Sequence, residues 1–119
     1  MEPLVRTGLL YDFYGGLLTA KQQKVMELYF LEDWSLAEIA TQEAVSRQAV
    51  HDLIHRSART MEEYESKLGL MGRFIRQQAE LSGTCDQLTE LLNQVNSESH
   101  LYKSLYQIKS KLEKLLENE

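Results

Sequence analysis

Apolar side chains recur along this chain of 119 residues at intervals of three and four, the period that lays one stripe of a helix against a core. The first run is Leu4, Val5, Leu9, Leu10, Phe13 and Tyr14. It starts after Pro3, which suits a first helical turn, and stops at Gly15-Gly16. Val25, Met26, Leu28, Tyr29 and Phe30 form the second, a central core helix. Thr19 precedes it with Gln22 three residues on, the spacing of a capping box. A short helix is then expected after Ser35, boxed by Glu38, with Ile39 and Ala40 inward and Ala40 small enough for a close crossing. Glu43-Ala44-Val45 reads as a tight turn, with Val45 plugging the angle. Ser46 caps a further helix whose buried stripe is Ala49, Val50, Leu53 and Ile54. Trp34 reads as a lid over this junction, because large aromatics dominate small cores; a base-stacking platform is the sharper reading.

The stripe continues through Met61, Tyr64, Leu68 and Met71, so the last of these helices is long, with Glu62, Glu63 and Glu65 facing outward. Gly69 and Gly72 mark a break or kink, and Ser82-Gly83 a second break, after which Thr84 would cap a new helix with Gln87 in the box position. Cys85, Leu88, Leu92 and Val95 form its stripe. Asn96–Ser99 is a turn. Leu101, Leu105, Ile108, Leu112 and Leu115 then repeat with heptad spacing. The C-terminal helices either zip together as a hairpin within the monomer or offer a homodimer seam. The expected architecture is all-α: a helix-turn-helix domain over residues 1–70 with a long helix, and a C-terminal helical hairpin over 71–119. One proline and six glycines agree with that.

Two helices joined by a tight turn, with Ser46-Arg47-Gln48 opening the second, form the pattern that presents a recognition helix to nucleic acid. Arginine and glutamine reach phosphates and base edges. His51, His55, Arg56 and Arg59 extend the same side. Net charge changes the picture: the chain carries −5, yet residues 46–60 hold Arg47, Arg56 and Arg59 against Asp52 alone. A footprint built on that block is small and its binding salt-sensitive. His51 and His55 have metal-compatible spacing, but no third ligand accompanies them, so no metal is expected. No phosphate loop or nucleophile elbow is present, so neither catalysis nor a cofactor is expected. Cys85, the single cysteine, reads as a small buried hydrophobe. No apolar run reaches the length of about 18 residues that would suggest a membrane span, and a cytoplasmic location is expected.

The stretches Tyr11–Gln22, Leu28–Phe30, Asp33–Ala40, Val45–Val50 and Glu62–Leu70 together closely resemble the YlxM family of small bacterial helix-turn-helix proteins. The helix-turn-helix part is also similar to region 4 of bacterial sigma factors. The resemblance implies an all-α protein without catalytic activity. It also implies a role in the signal recognition particle pathway, since the family's genes tend to lie beside those of that particle. By position, Ser46, Arg47, Gln48, His51, Asp52 and His55 would face nucleic acid. Three readings follow. The chain is an accessory touching the particle's RNA or protein, a DNA-binding regulator of the neighbouring genes acting as a homodimer on duplex DNA, or a protein-interaction module without a nucleic-acid ligand. None involves a membrane.

Overall fold

A computed structural model describes residues 1–117. The chain is all-α, with no strand among the described residues. Among the described residues its helices are α1 (Pro3–Tyr14), α2 (Ala20–Phe30), α3 (Leu36–Glu43), α4 (Arg47–Leu68), α5 (Leu70–Asn93) and α6 (His100–Glu117), with a 3₁₀ turn at Gly15–Leu17. None of them is long and apolar enough to cross a membrane.

Local chemistry sets the helix starts. The Thr19 hydroxyl accepts the Gln22 N–H while the Gln22 side chain takes the N–H of Thr19; Ser35 and Glu38 repeat the arrangement. Such caps stabilise a helix start by about 1 kcal/mol each. At the end of α1, a side chain on Gly15 would meet the Tyr11 ring at 2.7 Å, so that ring would have to shift to admit one.

Two compact units divide the chain, Met1–Met71 and Gly72 onward. In the first, α4 is the hub and packs against α1, α2 and α3. Leu10, Tyr14, Val25, Met26, Ile39, Val50 and Met61 are almost fully buried around it. Ser57 lies in the same core; its hydroxyl donates to the Leu53 carbonyl at 2.8 Å, so no unpaired donor is buried with it. Trp34 packs half-buried against this core.

Two long-range pairs tie α1 to α4. Arg6 makes a two-point contact with Glu62, at 2.5 and 2.8 Å. Tyr14 donates to Glu65 at 2.5 Å. Glu62 and Glu65 therefore do not simply face solvent, as their local spacing suggested; each meets a partner more than 50 positions away. Tyr14 and Glu65 also serve the start of α5. After Gly69, which is left-handed at φ 65, the Leu70 N–H donates to the Tyr14 hydroxyl and the Met71 N–H to the Glu65 carboxylate.

The expected break at Ser82-Gly83 is absent, and α5 runs unbroken from Leu70 to Asn93. Thr84 does not cap a helix; its hydroxyl donates back to the Glu80 carbonyl, as a threonine inside a helix does. Gly72 likewise lies within α5, so Gly69 alone makes the break. In this second unit Cys85 and Leu92 are buried, whereas α6 buries none of its residues. Ser99 opens α6, its hydroxyl accepting the Tyr102 N–H.

Candidate nucleic-acid interface

The turn between α3 and α4 is closed by backbone bonds. The Ala44 N–H donates to Thr41 and the Val45 N–H to Ala40, at 3.4 and 3.1 Å, the double closure of a Schellman motif. That motif needs a left-handed residue, and here Ala44 adopts it at φ 56, ψ 43, where glycine is the usual choice. Val45, expected to plug the angle, is 36% exposed and so covers the junction only in part. Ala49 is also exposed rather than part of the buried stripe, which is carried by Val50, Ile54, Ser57 and Met61.

Ser46 is extended, and its hydroxyl accepts the Ala49 N–H at 3.0 Å, so its first task is to cap α4. The cap leaves Arg47 and Gln48 exposed at the tip of the helix. Gln48 donates from its amide nitrogen to Asp52 at 2.9 Å, which leaves the amide a carbonyl acceptor and a second N–H. That bond, with a smaller contribution from His51, holds the Asp52 carboxyl below its ordinary range. The Gln48–Asp52 pair therefore offers donor and acceptor groups side by side, the chemistry needed at a base edge.

One turn further, His51 and His55 lie with ring centroids 4.0 Å apart. The Nδ1 of His55 is 2.9 Å from the His51 carbonyl oxygen and donates to it, which leaves Nε2 as the outer ring nitrogen. No cluster of three or more metal-ligating side chains occurs among the described residues.

Arg56 and Arg59 are exposed and stand between two open clefts. One, of about 550 Å³, is lined by Ala49, Asp52, His55 and the two arginines. The other, of about 500 Å³, has the same two arginines on one side and Thr19, Lys21 and Gln22 of α2 on the other. All seven residues singled out in the sequence (Ser46, Arg47, Gln48, His51, His55, Arg56 and Arg59) lie on the solvent side of α4, away from its buried stripe. They fall into two groups: a tip formed by Ser46, Arg47 and Gln48, and a flank where His55, Arg56 and Arg59 share a cleft. His51 lines neither cleft but stacks on His55.

The chain matches, over residues 1–118, the family described as "Putative helix-turn-helix protein, YlxM / p13 like". It belongs to that family. Its relatives include a UPF0122 protein of Symbiobacterium thermophilum, 47% identical over 96 residues that cover 81% of this chain and 86% of the relative. A UPF0122 protein of Geobacillus kaustophilus is 53% identical over 76 residues, covering 64% and 69%. One from Bacillus mycoides is 42% identical over 115 residues, covering 97% and 98%.

The sequence alone does not bring Lys21 beside Arg56 and Arg59, with which it lines a cleft. Lys21 lies 35 positions before Arg56, and Thr19 near it reads as a cap alone. The available signal was that a capped helix start with a lysine in its first turn feeds directly into the core packed on α4.

Proposed function

We propose that this YlxM-like protein is a nucleic-acid-binding helix-turn-helix accessory of the signal recognition particle pathway, acting in the cytoplasm and without a catalytic step of its own. The observation that carries the binding half of this reading is the tip of α4: Arg47 and Gln48 are exposed beside a serine-capped helix start, with Arg56 and Arg59 on the same solvent side. The pathway half rests on the likeness to a family whose genes tend to lie beside those of the particle. A folded RNA helix would be met chiefly through phosphates and 2′-hydroxyls, which suits arginines on a helix flank better than a deep groove reader. With three arginines on this face and an acidic chain behind it, binding is modest and weakens with salt by a slope of about 3 in log K against log salt. The test is binding of the wild type and Arg47→Ala to the particle's RNA and to random duplex DNA, at low and at physiological salt. RNA-preferring binding that Arg47→Ala weakens supports the reading. Equal, weak binding that vanishes with salt turns it toward a protein partner, the particle's protein first.

A second reading, a DNA-binding regulator of the neighbouring genes, is favoured by one observation. The heptad seam of α6 is open, with Leu101, Ile108 and Leu115 each about half exposed. A homodimer through that seam would supply the paired recognition helices that successive major grooves require. Light scattering behind size-exclusion chromatography tests it, and a monomer at micromolar concentration removes it.

A further inference from the structure

We infer that the cleft between the start of α2 and the middle of α4 seats backbone phosphates of the nucleic acid, with Lys21 as a contact residue on a second element; this rests on the nucleic-acid reading above and deepens it. Three cations, Lys21, Arg56 and Arg59, line this one cleft, and none of them forms an ion pair among the described residues. The polar groups beside them are left with donors to offer. In the capping box the Thr19 hydroxyl oxygen already accepts the Gln22 N–H, and the Gln22 amide oxygen already accepts the Thr19 N–H. What remains is the threonine O–H and the glutamine NH₂. A cleft of unpaired cations and spare donors matches a ligand that is anionic and made of acceptor oxygens, which is the chemistry of a phosphodiester.

The geometry favours a polymer over a single anion. Arg56 and Arg59 are shared with the neighbouring cleft that runs past Asp52 and His55, so one strand can lay successive phosphates on both sides of the arginine ridge. From Arg47 to Arg59 the helix advances about 18 Å. The major groove of a DNA duplex is about 8.5 Å deep. A helix that enters such a groove by its tip therefore carries its middle turns past the groove wall, where the phosphates are. Glu63 lines the same cleft and opposes this binding, which provides a test in the opposite direction.

The experiment measures anisotropy of a labelled random-sequence DNA duplex and a labelled RNA hairpin across a salt series, with full-length wild type, Lys21→Gln, Glu63→Gln and Arg47→Ala. Circular dichroism melts confirm that each variant is folded. Lys21→Gln is expected to weaken binding several-fold at low salt, equally for any sequence, and to reduce the slope of log K against log salt by about 1. Glu63→Gln is expected to tighten it. If Arg47→Ala weakens binding while Lys21→Gln keeps both the wild-type affinity and slope, the cleft is no phosphate seat and the proposed function stands without it. Should the wild type bind neither probe, the nucleic-acid reading fails and the phosphate seat fails with it.

Discussion

The hydroxyl of Tyr14 donates to the carboxylate of Glu65 across 51 positions of sequence, at 2.5 Å, and the two side chains then receive the first N–H groups of α5. Helix starts leave such donors without intrahelical partners. Here the caps come from α1 and α4 instead of from the residue before the helix.

Replacing Tyr14 by Phe keeps the ring in the core and removes only the hydroxyl. The Leu70 N–H then loses its acceptor and Glu65 loses a donor, a loss of about 1–3 kcal/mol in urea or thermal unfolding. The pH dependence adds a second check. Burial first, and then the bond to Glu65, raise the Tyr14 pKa above its ordinary value. A raised folded pKa means the stabilisation is complete below the ordinary tyrosine value of about 10 and is lost as pH rises through the folded one. Tyr11 is shifted the same way, by burial and then by Glu27. The quantity to measure is thus the difference between wild type and Tyr14→Phe, which should shrink as pH rises through the folded tyrosine value.

Arg6→Ala removes the two-point pair with Glu62. Both side chains are about 40% exposed, so water and salt screen the pair and a cost of about 0.5–1 kcal/mol is expected. The hydrogen bond from Arg6 holds the Glu62 carboxyl below the usual carboxylate range, outweighing the smaller effect of burial. A depressed pKa places the stabilisation above the unfolded value, about 4.3, and removes it as pH falls through the folded one. Wild type and Arg6→Ala should therefore differ at neutral pH and converge in acid. A difference that persists in strong acid would mean that Arg6 acts through packing.

Ala44 adopts a left-handed conformation that costs an L-residue about 1–2 kcal/mol, offset in part by the lower chain entropy of alanine when unfolded. Ala44→Gly should accordingly raise stability by about 0.5 kcal/mol, the balance of those effects. Ala44→Val should lower it, since a β-branched residue is a true outlier at positive φ. If Ala44→Gly instead destabilises the protein by more than about 1 kcal/mol, the strain assigned to this turn is wrong.

What the sequence made legible was local. Thr19, Ser35 and Ser46 cap helices because a cap is decided within three or four residues, and the Gly69 break shows because a left-handed residue is needed there. Gly83 misled for the complementary reason: nothing in the helix requires positive φ at that point, and a glycine in a helix interior costs only about 1 kcal/mol. Glu62 and Glu65 look like a solvated face in sequence because their partners, Arg6 and Tyr14, lie on another helix and leave no local trace. The tip of α4 could be read from Ser46-Arg47-Gln48. The cleft beside Arg56 could not, because its far wall belongs to α2.

The measurement closest to the central proposal is a titration of the signal recognition particle's RNA with wild type and Arg47→Ala, run beside random duplex DNA at low and physiological salt. The expected result is binding that favours the RNA, weakens in the variant and persists in part at physiological salt. Binding that ignores both the choice of nucleic acid and the loss of Arg47 would contradict the assignment of the α4 tip as the recognition surface.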